Sequence, residues 1–244
     1  METTHRVNSH KSKIAKSKIS RPFVSVNFAL TFDGKVSTRN LTPSDFSSKR
    51  DKQRLLEIRA TGDAVLVGKG TLEAENMSMV LPDAALRAGR VCKKKSAYPL
   101  RIIVSNSGRI TPTLKVFAKN FSPIVIYSTE KMPAATRRKL APLATLHLHD
   151  GSRVDLAAML AHLRSCYKIK RLVCEGGPTL FRSLLAIGGV DEINLTFCPR
   201  LFGGKDAPTL TGPPGDFLPR TVECKLQRME VVGDECFLRY RVLS

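Results

Sequence analysis

The chain predicts an α/β protein, with a mostly parallel central sheet flanked by helices and a C-terminal antiparallel hairpin. Three observations predict it. Apolar runs such as Ala64-Val65-Leu66-Val67 and Arg171-Leu172-Val173-Cys174 lack alternation, which suits strands covered on both faces. Helical patterns lie between such runs, and strand–helix–strand crossovers make neighbouring strands parallel. Near the C-terminus, Gly233-Asp234 separates two β-type runs, a hairpin signal.

The elements follow in order. Residues 1–20 read as a basic tail, rich in Ser, Lys, His and Asn and too polar to offset the entropy of ordering. The domain spans 21–244. Its first strand covers 23–30 and ends in the turn signal Asp33-Gly34. Ser47 to Asp51 starts a helix that runs to about Ala60. The strand at 64–67 leads into a helix near Gly70-Thr71, and residues 80–98 look like an irregular basic loop. Strands follow at 101–104 and 123–127. A helix at 133–140 opens on Pro133, and a strand covers 145–149. An amphipathic helix over 154–164 precedes the strand at 171–174. The helix over 179–187 closes at Gly188-Gly189 and leads to a strand at 193–197. The hairpin strands are 222–230 and 235–242.

Composition narrows the function. The chain has 244 residues, which suits one domain with a full core. No apolar run reaches the roughly 20 residues that span a bilayer, and no apolar signal-peptide segment opens the sequence. The six cysteines include no Cys-x-x-Cys pair, so they read as reduced thiols in a cytoplasm. His147 and His149 alternate on a strand without partners at ligand spacing, so no metal is expected. The net charge is +19, of which +5 lies in residues 1–21. Such a protein attracts anions: nucleic acid, a membrane surface or a phosphorylated small molecule. Aromatics are 6% and no recognition module is present, which disfavours nucleic acid.

Open α/β sheets bind ligands at the carboxyl ends of their strands. Three segments stand there. In Cys174-Glu175-Gly176-Gly177-Pro178-Thr179-Leu180 a strand runs into glycines and a helix start, where backbone N–H groups can meet a pyrophosphate. The same residues also suit a tight turn with a solvated Glu. In Val67 to Asn76, Thr71 offers a hydroxyl and Glu75 an acid one turn later, although an ordinary helix cap reads equally from these residues. This is neither a P-loop nor Gly-x-Gly-x-x-Gly. After the first strand, Lys35 sits in a turn, either at the surface or placed to bind an anion or donate a proton.

Taken in order, these segments resemble the reductase half of the bifunctional deaminase–reductase of riboflavin biosynthesis. The matching pieces are Asp33-Gly34-Lys35, Arg59 to Gly68, Gly70-Thr71-Leu72, Glu175 to Leu180, Val190 to Ile193 and Pro199 to Gly204. The resemblance implies a dihydrofolate-reductase-like fold, NADPH as hydride donor and a homodimer. It also implies reduction of the ribosyl group of 5-amino-6-(5-phosphoribosylamino)uracil to a ribityl chain. No zinc-deaminase signature is present.

Residue by residue, the resemblance implies cofactor contacts at Ala29, Thr71, Glu75, Asn106, Gly176, Gly177, Pro178, Thr179 and Leu180. Arg109 would favour the 2′-phosphate of NADPH. Substrate contacts fall at Lys35, Arg59, Met79 and Glu175, with Arg59 on the phosphate, and the catalytic set is Lys35, Glu75 and Glu175. A lysine ammonium or a protonated carboxyl would deliver a proton to the sugar oxygen. Three departures lie on the substrate side. Glu75-Asn76-Met77 replaces the family's Asp-Asp-Pro, Pro82 stands near the place of a family Arg, and the aromatic before the first helix is replaced around Asp45-Phe46. Two rivals therefore stand: a same-fold NADPH reductase acting on a pterin or other heterocycle, and a basic nucleic-acid-binding protein.

Overall fold

The computed structural model describes residues 21–37, 46–212 and 217–243, so the expected tail over 1–20, and Asp45, lie outside the described residues. The elements are β1 (Phe23–Thr31), α1 (Lys49–Thr61), β2 (Ala64–Gly68), α2 (Lys69–Glu75), α3 (Ala84–Cys92), β3 (Leu100–Val104), β4 (Ile124–Thr129) and α4 (Ala134–Leu140). Then follow β5 (Thr145–His149), α5 (Leu156–Ser165), β6 (Arg171–Cys174), α6 (Pro178–Ala186), β7 (Glu192–Cys198), β8 (Cys224–Val232) and β9 (Glu235–Val242). One sheet holds the strands in the order β5-β4-β3-β2-β6-β1-β7-β9-β8. β1 to β7 pair in parallel, and β9 joins β7 and β8 antiparallel.

The expected architecture holds, with one element added. Residues 80–98 are not an irregular loop, because α3 occupies Ala84–Cys92. Asp83 caps it by accepting the Leu86 N–H at 3.0 Å. Pro82-Asp83 before Ala84-Ala85-Leu86 is a helix start, which the flanking lysines masked.

Pleating divides the strands between two cores. Ala64, Leu66, Ile102, Val104, Val125 and Tyr127 join the core under α5 and α6. Val65, Val67, Ile103, Ile124 and Ile126 join the other, with Leu72, Met79 and Leu140. Burying each such side chain contributes about 1.5–3 kcal/mol. β1 is different. Val24, Val26, Phe28 and Leu30 enter the first core, but the opposite face carries Ser25, Asn27, Ala29 and Thr31.

That polar face lies beneath α1. Ala29 stands beside Thr196 in the sheet, and Arg54 of α1 donates to Thr196 Oγ1 at 3.0 Å. The start of α1 is fixed from the hairpin. Ser48 Oγ accepts the Asp51 N–H at 3.1 Å, while Glu235 accepts from the Ser48 N–H at 2.8 Å and from its hydroxyl at 2.5 Å.

Candidate active site

A cleft of about 690 Å³ opens at the carboxyl ends of β1, β2 and β6. Its walls come chiefly from Asn27, Phe28 and Ala29 of β1 with Asp51, Lys52 and Leu55 of α1, from Gly68, Gly70, Thr71, Ala74 and Glu75 around α2 and from Glu175 to Leu180 between β6 and α6, and Val36, Ser37, Asp206 and Pro208 close its rim.

The β6–α6 turn is close-packed. The Glu175 N–H donates to Leu66 O at 2.9 Å, which extends the sheet by one residue. A Cβ on Gly176 would stand 2.5 Å from Leu180 Cδ2, and one on Gly177 2.5 Å from Thr71 Oγ1. A Cβ at either position would therefore have to displace Leu180 or Thr71, so close approach rather than φ favours glycine here. Gly177 caps α6 without a side-chain hydrogen bond, and Pro178 takes the first turn. The first helical bond runs from the Phe181 N–H to Gly177 O at 3.1 Å. The N–H groups of Thr179 and Leu180 precede it, beyond the reach of any helical carbonyl. Phe28 packs on Phe181 with ring centroids 5.2 Å apart and so anchors α6 to β1.

Glu175 carries a buried ion pair. Arg59 Nε donates to Oε1 at 2.8 Å and Nη2 to Oε2 at 2.6 Å, with side-chain exposures of 7% for Arg59 and 3% for Glu175. Arg59 also donates to Val80 O. Burial pulls the Arg59 guanidinium down, but the charge and hydrogen bonds of Glu175 outweigh it and hold it above its ordinary range. The placement corrects two expectations. Arg59 is inside the protein, facing Glu175, and is absent from the cleft walls, so it is not placed to hold a substrate phosphate. Glu175 lines the cleft, but both of its oxygens accept from a guanidinium, which leaves neither to carry a proton for the sugar.

The other expected residues divide in the same way. Ala29, Thr71, Glu75, Gly176, Gly177, Pro178, Thr179 and Leu180 come together on the cleft. Met79 does not: it is 2% exposed in the second core, with φ of 58°. Its apolar side chain gains by packing out of water with Val67, Ile103 and Ile126, so substrate contact is corrected to packing. Asn106 lies one strand further along the carboxyl edge, outside the cleft walls, and its Oδ1 accepts the Val154 N–H at 3.0 Å. Thr129 Oγ1 donates to Asn106 O at 2.7 Å and straps the loop down. Lys35 immediately precedes the cleft-lining Val36 and Ser37. Its turn is held by Asp33, which accepts the Phe202 N–H at 3.2 Å and the Gly203 N–H at 2.6 Å. The hydrogen bond from the Thr31 hydroxyl leads the causes that keep the Asp33 carboxyl below its ordinary range. Two of the matching sequence pieces thus dock on each other.

Among the polar cleft residues that the sequence alone did not single out are Asn27, Asp51, Lys52 and Asp206. Asn27 Oδ1 and Asp51 Oδ1 are buried without a hydrogen-bond partner. Polar Ser25 and Asn27 in a central strand were the available signal. Asp51 reads from sequence as an ordinary first-turn acid. Among the described residues no three His, Cys, Asp or Glu side chains are grouped to hold a metal, and no helix is long and apolar enough to cross a membrane.

Comparison with known proteins places this geometry. The 2,5-diamino-6-ribosylamino-4(3H)-pyrimidinone 5′-phosphate reductase of Methanothermobacter thermautotrophicus is 33% identical over 223 residues, covering 91% of this chain and 99% of its own. The protein of the same name from Archaeoglobus fulgidus is 31% identical over 214 residues, covering 88% and 95%. A pyrimidine reductase-like protein from Corynebacterium diphtheriae superposes with a TM-score of 0.80 at 20% identity, covering 91% of this chain and 92% of that one, so the fold is shared. The RibD C-terminal domain model matches residues 22–238, and the chain belongs to that family.

Proposed function

We propose that the protein is an NADPH-dependent reductase that converts the ribosylamino group of a phosphorylated pyrimidine to a ribitylamino group. The observation that carries this is the tight pair Gly176-Gly177 at the uncapped start of α6, packed against Thr71. Glycines where a Cβ would have to displace a neighbour, next to free backbone N–H groups, fit a pyrophosphate. Thr71 and Glu75 would flank the nicotinamide end. Asn106 would meet the adenosine end through its loop backbone, since its Oδ1 is engaged. Of the two ribosylaminopyrimidines in view, the names of the relatives at 33% and 31% identity favour the diaminopyrimidinone over the aminouracil.

The chemistry asks little covalent work of the chain. When bound, the nicotinamide supplies a hydride. The ribose ring must first open: the C1′–O4′ bond breaks, the ring oxygen takes a proton, and a C1′–nitrogen double bond forms as the exocyclic N–H is lost. Lys35, beside the cleft, is the proposed proton source for the ring oxygen. Hydride addition at C1′ and a proton on nitrogen complete the reduction. Glu175, fixed by Arg59, orients ribose hydroxyls as an acceptor. Lys52 is exposed, lines the cleft and replaces Arg59 as the proposed phosphate contact.

The active species is proposed to be a homodimer in the reducing cytoplasm. Its support is the outer strand β8, where Met229 is 63% and Val231 61% exposed. The test is to mix the purified protein with NADPH and the diaminopyrimidinone ribosyl phosphate and follow loss of nicotinamide absorbance. The product should gain two hydrogen atoms by mass. NADPH binding without turnover would favour a pterin or other heterocycle, and absence of NADPH binding would refute the reading.

A further inference from the structure

The α1-side wall of the cleft holds something the reduction itself does not need. Asn27 Oδ1 and Asp51 Oδ1 come from different elements, both line the cleft, and both are buried without a partner. Asp51 is 6% exposed. Its backbone N–H is already engaged by Ser48 Oγ, and α1 is locked to the hairpin through Glu235, so the backbone that carries the carboxyl group is held in place. Asn27 sits on the polar face of β1, beside Asn194 in the sheet. The amide of Asn194 turns away from it, to Ser25 Oγ at 3.0 Å and Val26 O at 3.1 Å. A buried acceptor left unmade is costly, and two on one wall imply a ligand that supplies donors.

We propose that Asn27 and Asp51 are the specificity determinants of this cleft, accepting hydrogen bonds from the 2-amino group and N3–H of a diaminopyrimidinone. The inference rests on the reductase reading above and deepens it. Two adjacent donors on one edge of the base match two acceptors on one wall. A uracil presents a carbonyl oxygen at position 2. That oxygen would face Asp51 or Asn27 lone pair to lone pair, and the acceptor opposite position 2 would stay unsatisfied, while N3–H, common to both bases, still serves the other. A site built to bind an N–H rejects the analogue that lacks it. The expected preference in kcat/KM for the diaminopyrimidinone over the matching aminouracil is roughly ten- to hundredfold.

The experiment measures kcat/KM for both ribosyl phosphates with the full chain, with Asp51→Asn and with Asn27→Ala. NADPH affinity by nicotinamide fluorescence and thermal melting report on folding. Asp51→Asn puts an amide donor where an acceptor stood, so the ratio should fall about tenfold or more while NADPH affinity holds. Asn27→Ala should weaken the diaminopyrimidinone by removing one of its two acceptors. An unchanged ratio in both folded variants overturns the assignment, as does a wild-type protein that prefers the uracil, and both outcomes leave the reductase reading standing. A wild-type protein that binds NADPH but reduces neither compound overturns the assignment together with the substrate reading.

Discussion

The ion pair between Arg59 and Glu175 invites the most searching perturbation, because it separates a structural role from a catalytic one. The two side chains are 7% and 3% exposed and joined by two hydrogen bonds, at 2.8 and 2.6 Å. Removing one partner leaves a desolvated charge with nothing opposite, which costs about 3–5 kcal/mol. Arg59→Met also strands Val80 O and belongs at the upper end. Glu175→Gln keeps one acceptor and belongs near 3 kcal/mol, roughly a third of the stability of an ordinary domain. Replacing both, as Arg59→Met with Glu175→Gln, removes both charges together and should cost about as much as one single variant. Urea unfolding at neutral pH, arranged as a double-mutant cycle, should give a coupling of about 2 kcal/mol or more. Additivity within about 0.5 kcal/mol would refute the pairing. Arg59→Lys supplies the second arm. It should lower stability and leave KM near its wild-type value. A KM rise of about tenfold at unchanged stability would restore the phosphate contact that the sequence suggested.

Gly177→Ala places a Cβ 2.5 Å from Thr71 Oγ1, so NADPH affinity in a fluorescence titration should fall about tenfold or more while the fold persists. His147 is held below its ordinary pKa by burial first and then by His162 and His149. The unfolded chain therefore takes up the proton more readily, and stability is full above the unfolded value of about 6.5 and is lost as pH falls toward the folded one. Urea unfolding of wild type and His147→Gln across that window should show the wild-type loss and a flatter variant. Thiol labelling of the native protein at mild alkaline pH should modify the exposed Cys92, Cys166 and Cys224 first. Cys174 and Cys198, whose thiols burial pushes up to about 12, should react only in urea. Met229→Glu on β8 should shift the species seen by light scattering from dimer to monomer, and an unshifted mass would remove β8 from the interface.

Strand and helix order was legible because it rests on local signals. The runs at Ala64–Val67 and Arg171–Cys174 have no polar face to confuse the period, and Gly233-Asp234 fixes the hairpin turn. The glycine turn at 176–177 was legible for the same reason, being continuous in sequence. What failed was long-range. Arg59 and Glu175 are 116 residues apart, and nothing in either neighbourhood says that one consumes the other's charge. Met79 followed the same course, since its place in the core depends on Ile103 and Ile126 from other strands. Asn27 and Asp51 were invisible as a pair because each has an innocent local reading, a polar residue facing out and a helix-start acid. Only the packing of α1 over the polar face of β1 brings them to one wall.

The charge of the chain illustrates how far composition can mislead. A net +19 made nucleic acid a rival. Yet Arg54, Arg59, Arg87, Arg90 and Arg101 turn their guanidinium groups onto backbone carbonyls, at Leu195 and Leu238, Val80, Leu81 and Pro82, Ala60 and Gly62 and Ser96, and Val116 and Ser122. The demand arises from the fold. Helix C-termini and crossover loops leave carbonyls that no helical N–H reaches, and a planar group with five donors can satisfy several at once. Arg101, 1% exposed, stands 4.1 Å over the Phe121 ring, and burial brings its pKa to about 10, still charged at neutrality. Such cations stiffen loops, while Lys93, Lys94, Arg137, Arg138 and Lys139 stay exposed. At the cleft the cations are Lys52 on the wall and Lys35 at the edge, joined by the N-terminal dipole of α6, and they stand among the acids Asp51, Glu75 and Asp206. A cleft that mixes signs in this way suits a small molecule carrying one phosphate better than a polyanion, which the acids repel.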